Sequence, residues 1–225
     1  LWLVISAAAG RAAAPPQYVS RTWQLDEGLP NNTVQALAQD GDGYLWVGTA
    51  AGLARFDGLH FTLFEPREVP ALKGASITAL GQAEDGTLWV GTGGAGVVEI
   101  KGGHVVQHLL GGDAPVNHVC CLLQAQDQSL WVGTLGGLFH LRAGNWTRLT
   151  VQDGLLDDRV HSLCECPDGL WVGTEGGLNL WKDGVLSREP RLAGHSFRAV
   201  LRDRKDRAGA ACRSGLVCLD QGRLC

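Results

Sequence analysis

An all-β fold assembled from one repeated sheet is predicted by three observations. The segment Leu-Trp-Val-Gly-Thr occurs four times, at 45–49, 88–92, 130–134 and 170–174, with its tryptophans 43, 42 and 40 residues apart. An apolar residue opens a strand twelve positions before the first three tryptophans (Val34, Ile77, Val119) and eleven before the fourth (Val160). Turn residues rich in Asp and Gly separate the segments within every copy. Short strands at a period of about 40–45 residues are the signature of propeller blades, small sheets that cannot bury their own faces. The prediction is a β-propeller of four-stranded blades, four clear and one degenerate, with blades at about 22–67, 68–110, 111–151, 152–190 and 191–225.

Each element follows from its residues. The turns Asp40-Gly41-Asp42-Gly43, Glu84-Asp85-Gly86, Asp127-Gln128-Ser129 and Pro167-Asp168-Gly169 suit tight hairpins, because Asp and Gly tolerate positive φ. The repeated pentapeptide is the second strand. Gly52-Leu53, Gly96-Val97, Gly137-Leu138 and Gly177-Leu178 open the third, and a fourth is clearest at His60–Phe64 and Asn145–Leu149. Strand side chains alternate, so Leu45, Val47 and Thr49 face one way and Trp46 and Gly48 the other. A large ring beside a missing side chain makes a knob and a gap, which lets neighbouring sheets approach closely. Trp46, Gly48, Trp89, Gly91, Trp131, Gly133, Trp171 and Gly173 are therefore structural. In the fifth unit Phe197, Val200 and Leu201 fit a first strand and Gly215-Leu216 and Gly222 a third with its turn, but the motif has decayed to Ala208–Cys212 and Gly209 stands in the Trp position. The expectation there is a terminal or poorly formed blade.

Composition narrows the function. Charged residues are 19 % of the 225 and net charge is −4, without the basic stripe of a nucleic-acid binder. Arg198–Arg207, the basic cluster, is interrupted by Asp203 and Asp206 and reads as a solvated turn. Leu1–Ala9 resembles the back half of a signal peptide, which assigns residues 1–14 to a partial export signal, 15–225 to the propeller, and the protein to an extracytoplasmic compartment. Of seven cysteines, Cys120, Cys121, Cys164 and Cys166 fall in or just after first strands and read as buried free thiols. Cys164 and Cys166 lack the two-residue spacer of a metal or redox pair.

Other motifs fail in context. Gly91–Gly96 matches a dinucleotide fingerprint, but a strand follows where a helix is required. Asp40–Gly43 has Tyr44 where a calcium loop needs an oxygen. His104 and His108, four apart, do not converge on a metal in a strand. The sequence therefore calls for no cofactor, no metal and no catalytic residue.

The run Gly28–Asp40, continued by Gly43–Thr49 and Gly52–Gly58, resembles the two-component regulator propeller repeat, and the likeness extends from Thr22 to about Gly184. The resemblance implies a periplasmic sensor domain built as a seven-bladed ring. A membrane helix and a kinase, response-regulator or diguanylate cyclase module would follow, so that this chain is an N-terminal part of a receptor anchored in a bacterial inner membrane. It also implies a small-molecule or oligosaccharide ligand at one propeller face, with the remaining blades, the signalling domain and a second copy as partners. The segments entering the first strands are polar and differ between copies, as loop-borne recognition requires. They offer Asn32, Asn117, His118, Asp158 and Arg159 as ligand-binding candidates. Two other readings stand beside it: an exported propeller lyase or hydrolase using His118, Asp158 and His195, and a scaffold for protein–protein contact.

Overall fold

The computed structural model describes residues 20–67, 69–112, 114–220 and 223–224. The export-signal segment, Gly222 and Cys225 lie outside them. Five four-stranded antiparallel sheets follow one another along the chain. The first holds β1 (Val34–Gln39), β2 (Leu45–Thr49), β3 (Gly52–Phe56) and β4 (Phe61–Phe64); the second β5 (Ile77–Gln82), β6 (Leu88–Thr92), β7 (Val97–Lys101) and β8 (His104–His108). The third contains β9 (Val119–Gln124), β10 (Leu130–Thr134), β11 (Gly137–Arg142) and β12 (Asn145–Leu149); the fourth β13 (Val160–Cys166), β14 (Gly169–Thr174), β15 (Leu178–Lys182) and β16 (Val185–Arg188). The fifth is β17 (Phe197–Arg202), β18 (Ala208–Cys212), β19 (Gly215–Asp220) and β20 (Arg223–Leu224). Strand order equals chain order in every sheet, and the first strands pack successively, β1 on β5, β5 on β9, β9 on β13 and β13 on β17. This is a β-propeller arrangement, with the core divided among the seams between blades.

Each seam uses the pentapeptide twice. Trp46 packs with Ile77, Leu88 and Val90 of the next blade. Trp89 meets Val119, Leu130 and Val132, and Trp131 meets Val160, Leu170 and Val172. The tryptophan of one copy is thus the knob, and the leucine and valine of the next are the surface that receives it. The glycine two residues after each tryptophan makes room for the first strand opposite. A Cβ on Gly91 would sit 2.5 Å from Val119 Cγ1, and one on Gly48 2.6 Å from Ile77 Cγ2. The threonine ending the motif is fully buried, and its hydroxyl donates to a carbonyl of the following turn: Thr49 to Gly52, Thr92 to Gly96 and Thr134 to Gly137, each at 2.9 Å, and Thr174 to Gly177 at 2.8 Å. The accepting glycine at Gly137 has φ of 133°, closed to other residues without strain.

The fifth sheet forms despite its eroded motif. Gly209 pairs with Leu201 in the register where Trp46 pairs with Ala38 and Trp131 with Leu123, and Leu201 stays exposed. Cys212 takes the place of the motif threonine, its thiol donating to the Gly215 carbonyl at 3.5 Å. Trp171 still finds a receiving surface in Phe197, Val200, Ala208, Ala210 and Leu219. The entry segments add an anchor that the repeat did not advertise. Leu29, Leu72, Val116, Leu155 and Leu192 are all buried, mostly at short 3-10 turns that precede the first strands.

Trp171→Ala is expected to destabilise the protein by about 3–5 kcal/mol in denaturant unfolding, the cost of emptying a fully packed ring site. Gly91→Ala is expected to cost about 1–3 kcal/mol through overpacking against Val119. Gly209→Ala, whose new Cβ meets nothing nearer than Leu201 Cδ1 at 3.5 Å, should be neutral or stabilising in the same assay.

Candidate functional site

Every first strand carries a bulge at its second residue. The pairing skips from Val34 to Ala36, Ile77 to Ala79, Val119 to Cys121, Val160 to Ser162 and Phe197 to Ala199. Bulges re-aim side chains, and here the skipped residues are Gln35, Thr78, Cys120, His161 and Arg198, different in each blade. Two further positions lie at the same level. A backbone bond ties the residue after each pentapeptide to the residue before the first strand: Ala50 to Thr33, Gly93 to Ser76, Leu135 to His118 and Glu175 to Arg159, at 2.8–3.2 Å. A constant scaffold therefore presents three variable positions in each of the first four blades where the first strands adjoin.

The chemistry at these positions is uneven. In the first three blades the bulge and post-motif residues are uncharged, and Ser76 Oγ donates to Gln35 Oε1 at 2.9 Å across the first seam. In the fourth and fifth blades they form an ionic cluster. Glu175 Oε2 lies 2.8 Å from His161 Nε2, and accepts from Ser196 Oγ at 3.0 Å and from an Arg198 terminal nitrogen at 3.1 Å. Ser196 and Arg198 come from the fifth blade, so one carboxylate ties two blades together. The His161, Ser196 and Arg198 contacts, in that order, hold the Glu175 carboxyl below its ordinary range. Arg159 is occupied by Asp157, with both carboxylate oxygens at 3.0 Å, and this contact lowers the Asp157 pKa. Burial pushes the Cys120 thiol up to about 11, so it is protonated and unreactive at neutral pH.

The five sequence candidates fall into two groups. Asn32 Oδ1 accepts from Leu25 N at 3.1 Å, and Asp158 Oδ1 accepts from Val151 N at 2.8 Å, each closing an entry segment. Asn117 is buried, accepts from Leu110 N at 2.9 Å and donates to the Gly111 carbonyl at 2.7 Å. These three hold backbone. His118 and Arg159 stand at the ring of positions before the first strands, with His118 Nδ1 3.1 Å from the Gly93 carbonyl. The lyase candidates are dispersed among other partners, His118 on Gly93, Asp158 on Val151 and His195 3.5 Å from Ser214 Oγ. The solvated-turn reading of Arg198–Arg207 needs one correction: Arg202 and Arg207 pair locally with Asp206 and Asp203, whereas Arg198 lies in β17 and pairs with Glu175. Glu175 and His161 were not among the sequence candidates. The available signal was positional, since Glu175 follows the pentapeptide where the other copies have Ala50, Gly93 and Leu135. Asp40, the calcium-loop candidate, spends its carboxylate on the Asp42 and Tyr44 amides and on Trp46 Nε1.

Repeated four-stranded blades whose first strands adjoin define the chain as a β-propeller. Residues 28–51 and 71–94 match the family model described as two component regulator propeller. No curated protein matches. Among solved structures, the extracellular domain of BT3049, described as a hybrid two component system of B. thetaiotaomicron, superposes with a TM-score of 0.77 at 21 % identity, over 91 % of this chain and 31 % of that one. The corresponding domain of BT4673 from the same organism gives 0.58 at 18 %, over 86 % and 32 %. Virginiamycin B lyase from Staphylococcus aureus gives 0.62 at 11 %, over 84 % and 70 %. At these identities the likeness is one of fold. The chain spans about a third of the length of the two-component neighbours.

Glu175 is expected to titrate below the ordinary glutamate range in a carbon-detected NMR titration. His161→Ala should raise that value most, Ser196→Ala and Arg198→Ala less. Because its folded-state pKa is lowered, its contribution to stability is present above the ordinary range and disappears as pH falls through the lowered value. Glu175→Gln should remove that part of the acid dependence of unfolding.

Proposed function

We propose that this chain is the ligand-sensing part of an exported signalling receptor, non-catalytic in itself, with its ligand held where the first strands adjoin. The observation that carries the reading is the bulge repeated five times on a constant scaffold, presenting Gln35, Thr78, Cys120, His161 and Arg198. Packing needs no such variation, and recognition does. The mixture of amide, hydroxyl, imidazole, guanidinium and carboxylate groups suits a hydroxyl-rich ligand, and we take an oligosaccharide as its class. Of the sequence candidates we assign His118 and Arg159 to contact with it, because they stand beside the first-strand bulges. Glu175 joins the fourth blade to the fifth, so a ligand that competes for His161 or Arg198 would bias the relation of those blades, and differential affinity for two arrangements is the physical content of a signal. Further blades would cover the exposed Val34 and Leu37 on the first sheet and Leu201 and Leu216 on the fifth. A membrane helix and an output module would complete the receptor; among the described residues no helix is long and apolar enough to cross a membrane.

Calorimetric titration of the protein with a panel of oligosaccharides tests this. Binding of at least one, weakened about tenfold or more by Arg198→Ala and by Glu175→Gln but not by Leu216→Ser on the outer sheet, is the expected result. No binding across the panel would remove the carbohydrate class. A second reading, a lyase, is favoured by the 2.8 Å contact between His161 and Glu175, a base-and-orienter geometry, and by the lyase fold neighbour. Incubation with a streptogramin followed by mass spectrometry should show intact substrate; an eliminated product abolished by His161→Ala would replace the sensor reading.

A further inference from the structure

Away from the first-strand bulges, at the end formed by the turns between first and second strands, the seam of the third and fourth blades opens into a groove of about 600 Å³. That is within the range of small-molecule sites, about 300–1,000 Å³. The reason for the opening lies in the tryptophans. Trp46 Nε1 donates to Asp40 at 2.8 Å, Trp89 Nε1 to Gln124 at 3.1 Å and Trp171 Nε1 to Asp168 at 3.2 Å. Trp131, 4 % exposed and part of the groove lining, is the exception: its indole N–H reaches no acceptor among the described residues. Glu165, which occupies in the fourth blade the place of Gln124 in the third, turns instead to the Gln126 amide at 3.0 Å. Beside it, His140 lies flat on the Trp131 ring, centroids 3.8 Å apart and planes at 8°, with its Nε2 buried and unpartnered. Burial lowers the His140 pKa, which keeps the ring neutral. The Trp131 indole N–H opens into the groove as a donor for a bound acceptor.

We infer that this groove is a second binding site, for a small zwitterion of the amino-acid type, whose carboxylate accepts from Trp131 Nε1 and faces Lys182 while its ammonium faces the carboxylates opposite. The indole nitrogen only donates, which requires an acceptor on the ligand. Lys182, in the lining, has no anionic partner among the described residues, and Asp183 beside it has no cationic one. Glu165 and Asp168 each commit one oxygen and leave the other. Arg142 and Asp127 pair with each other and Arg202 pairs with Asp206, so a net anion would meet Glu165, Asp168 and Asp183, and a net cation would meet Lys182. A molecule carrying both signs apart satisfies both sets. A neutral sugar is disfavoured because His140 covers the Trp131 face on which its ring would stack. The neighbouring seam shows the closed alternative: there Gln124 caps Trp89, Lys101 pairs with Asp85, and the groove is reduced to about 260 Å³.

The test is an indole ¹H–¹⁵N NMR titration of the whole chain with glycine and the other L-amino acids, with glucose, acetate and methylamine as controls. The chain has 8 tryptophans, and the Trp131 signal is the one missing in Trp131→Phe. Should that variant not fold, the signal is assigned from its contacts to the His140 ring. The expected result is a saturable shift of that signal by at least one amino acid at millimolar concentration or below, absent with the three controls, weakened about tenfold by Lys182→Ala and unchanged by Arg198→Ala. An unmoved Trp131 signal, an equal response to glucose, or equal weakening by Arg198→Ala would overturn it.

Discussion

The seam between consecutive blades, where a tryptophan from one sheet lies on the Leu-x-Val surface of the next, is the contact on which the structure rests. A four-stranded sheet of this size cannot bury either face alone. The pentapeptide solves both faces with five residues, one set presenting the ring and the other receiving it. The intervening glycine decides how close the sheets come, because a Cβ there would collide with Ile77 or Val119. The terminal threonine turns inward and its hydroxyl adds a second donor to the carbonyl of the next turn, which in the second and fourth copies also accepts the threonine amide.

With the seams fixed, the rest of each blade is free to differ. The bulge in each first strand recurs on the same scaffold, and its occupants, Gln35, Thr78, Cys120, His161 and Arg198, range from exposed Gln35 and Arg198 to the largely buried His161. The fifth sheet keeps its pairing although Gly209 stands in place of the tryptophan. Charge collects in the last two blades, where Glu175 couples one to the next, while the earlier seams use a serine–glutamine contact or none of this kind.

The turn-side end of the seams obeys another rule. There the indole nitrogen of each tryptophan needs an acceptor, and three of the four find one in the chain. The acceptors are an aspartate of the same turn or a glutamine of the next blade. Trp131 has neither, since Ala125 stands where Asp40 does in the first copy and Glu165 has turned to Gln126. The groove between the third and fourth blades follows from that substitution and from the opposed charges around it.

The repeat of Leu-Trp-Val-Gly-Thr determined the fold class, the strand order and the faces of Trp46 and its counterparts, because periodic packing leaves a periodic trace in the chain. Asp40–Gly43 and Gly137 were legible for the same reason: their backbone needs are local. The roles of Asn32, Asn117 and Asp158 were not, since a polar residue in an entry segment looks the same whether it holds a ligand or the Leu25, Leu110 or Val151 amide. Glu175 with Arg198, and Trp131 with His140, were decided only by tertiary structure. Their partners lie in other strands or adjoining blades, and whether a carboxylate finds a guanidinium or an indole finds an acceptor depends on bulge direction and sheet spacing, neither of which has a signature of its own in the sequence.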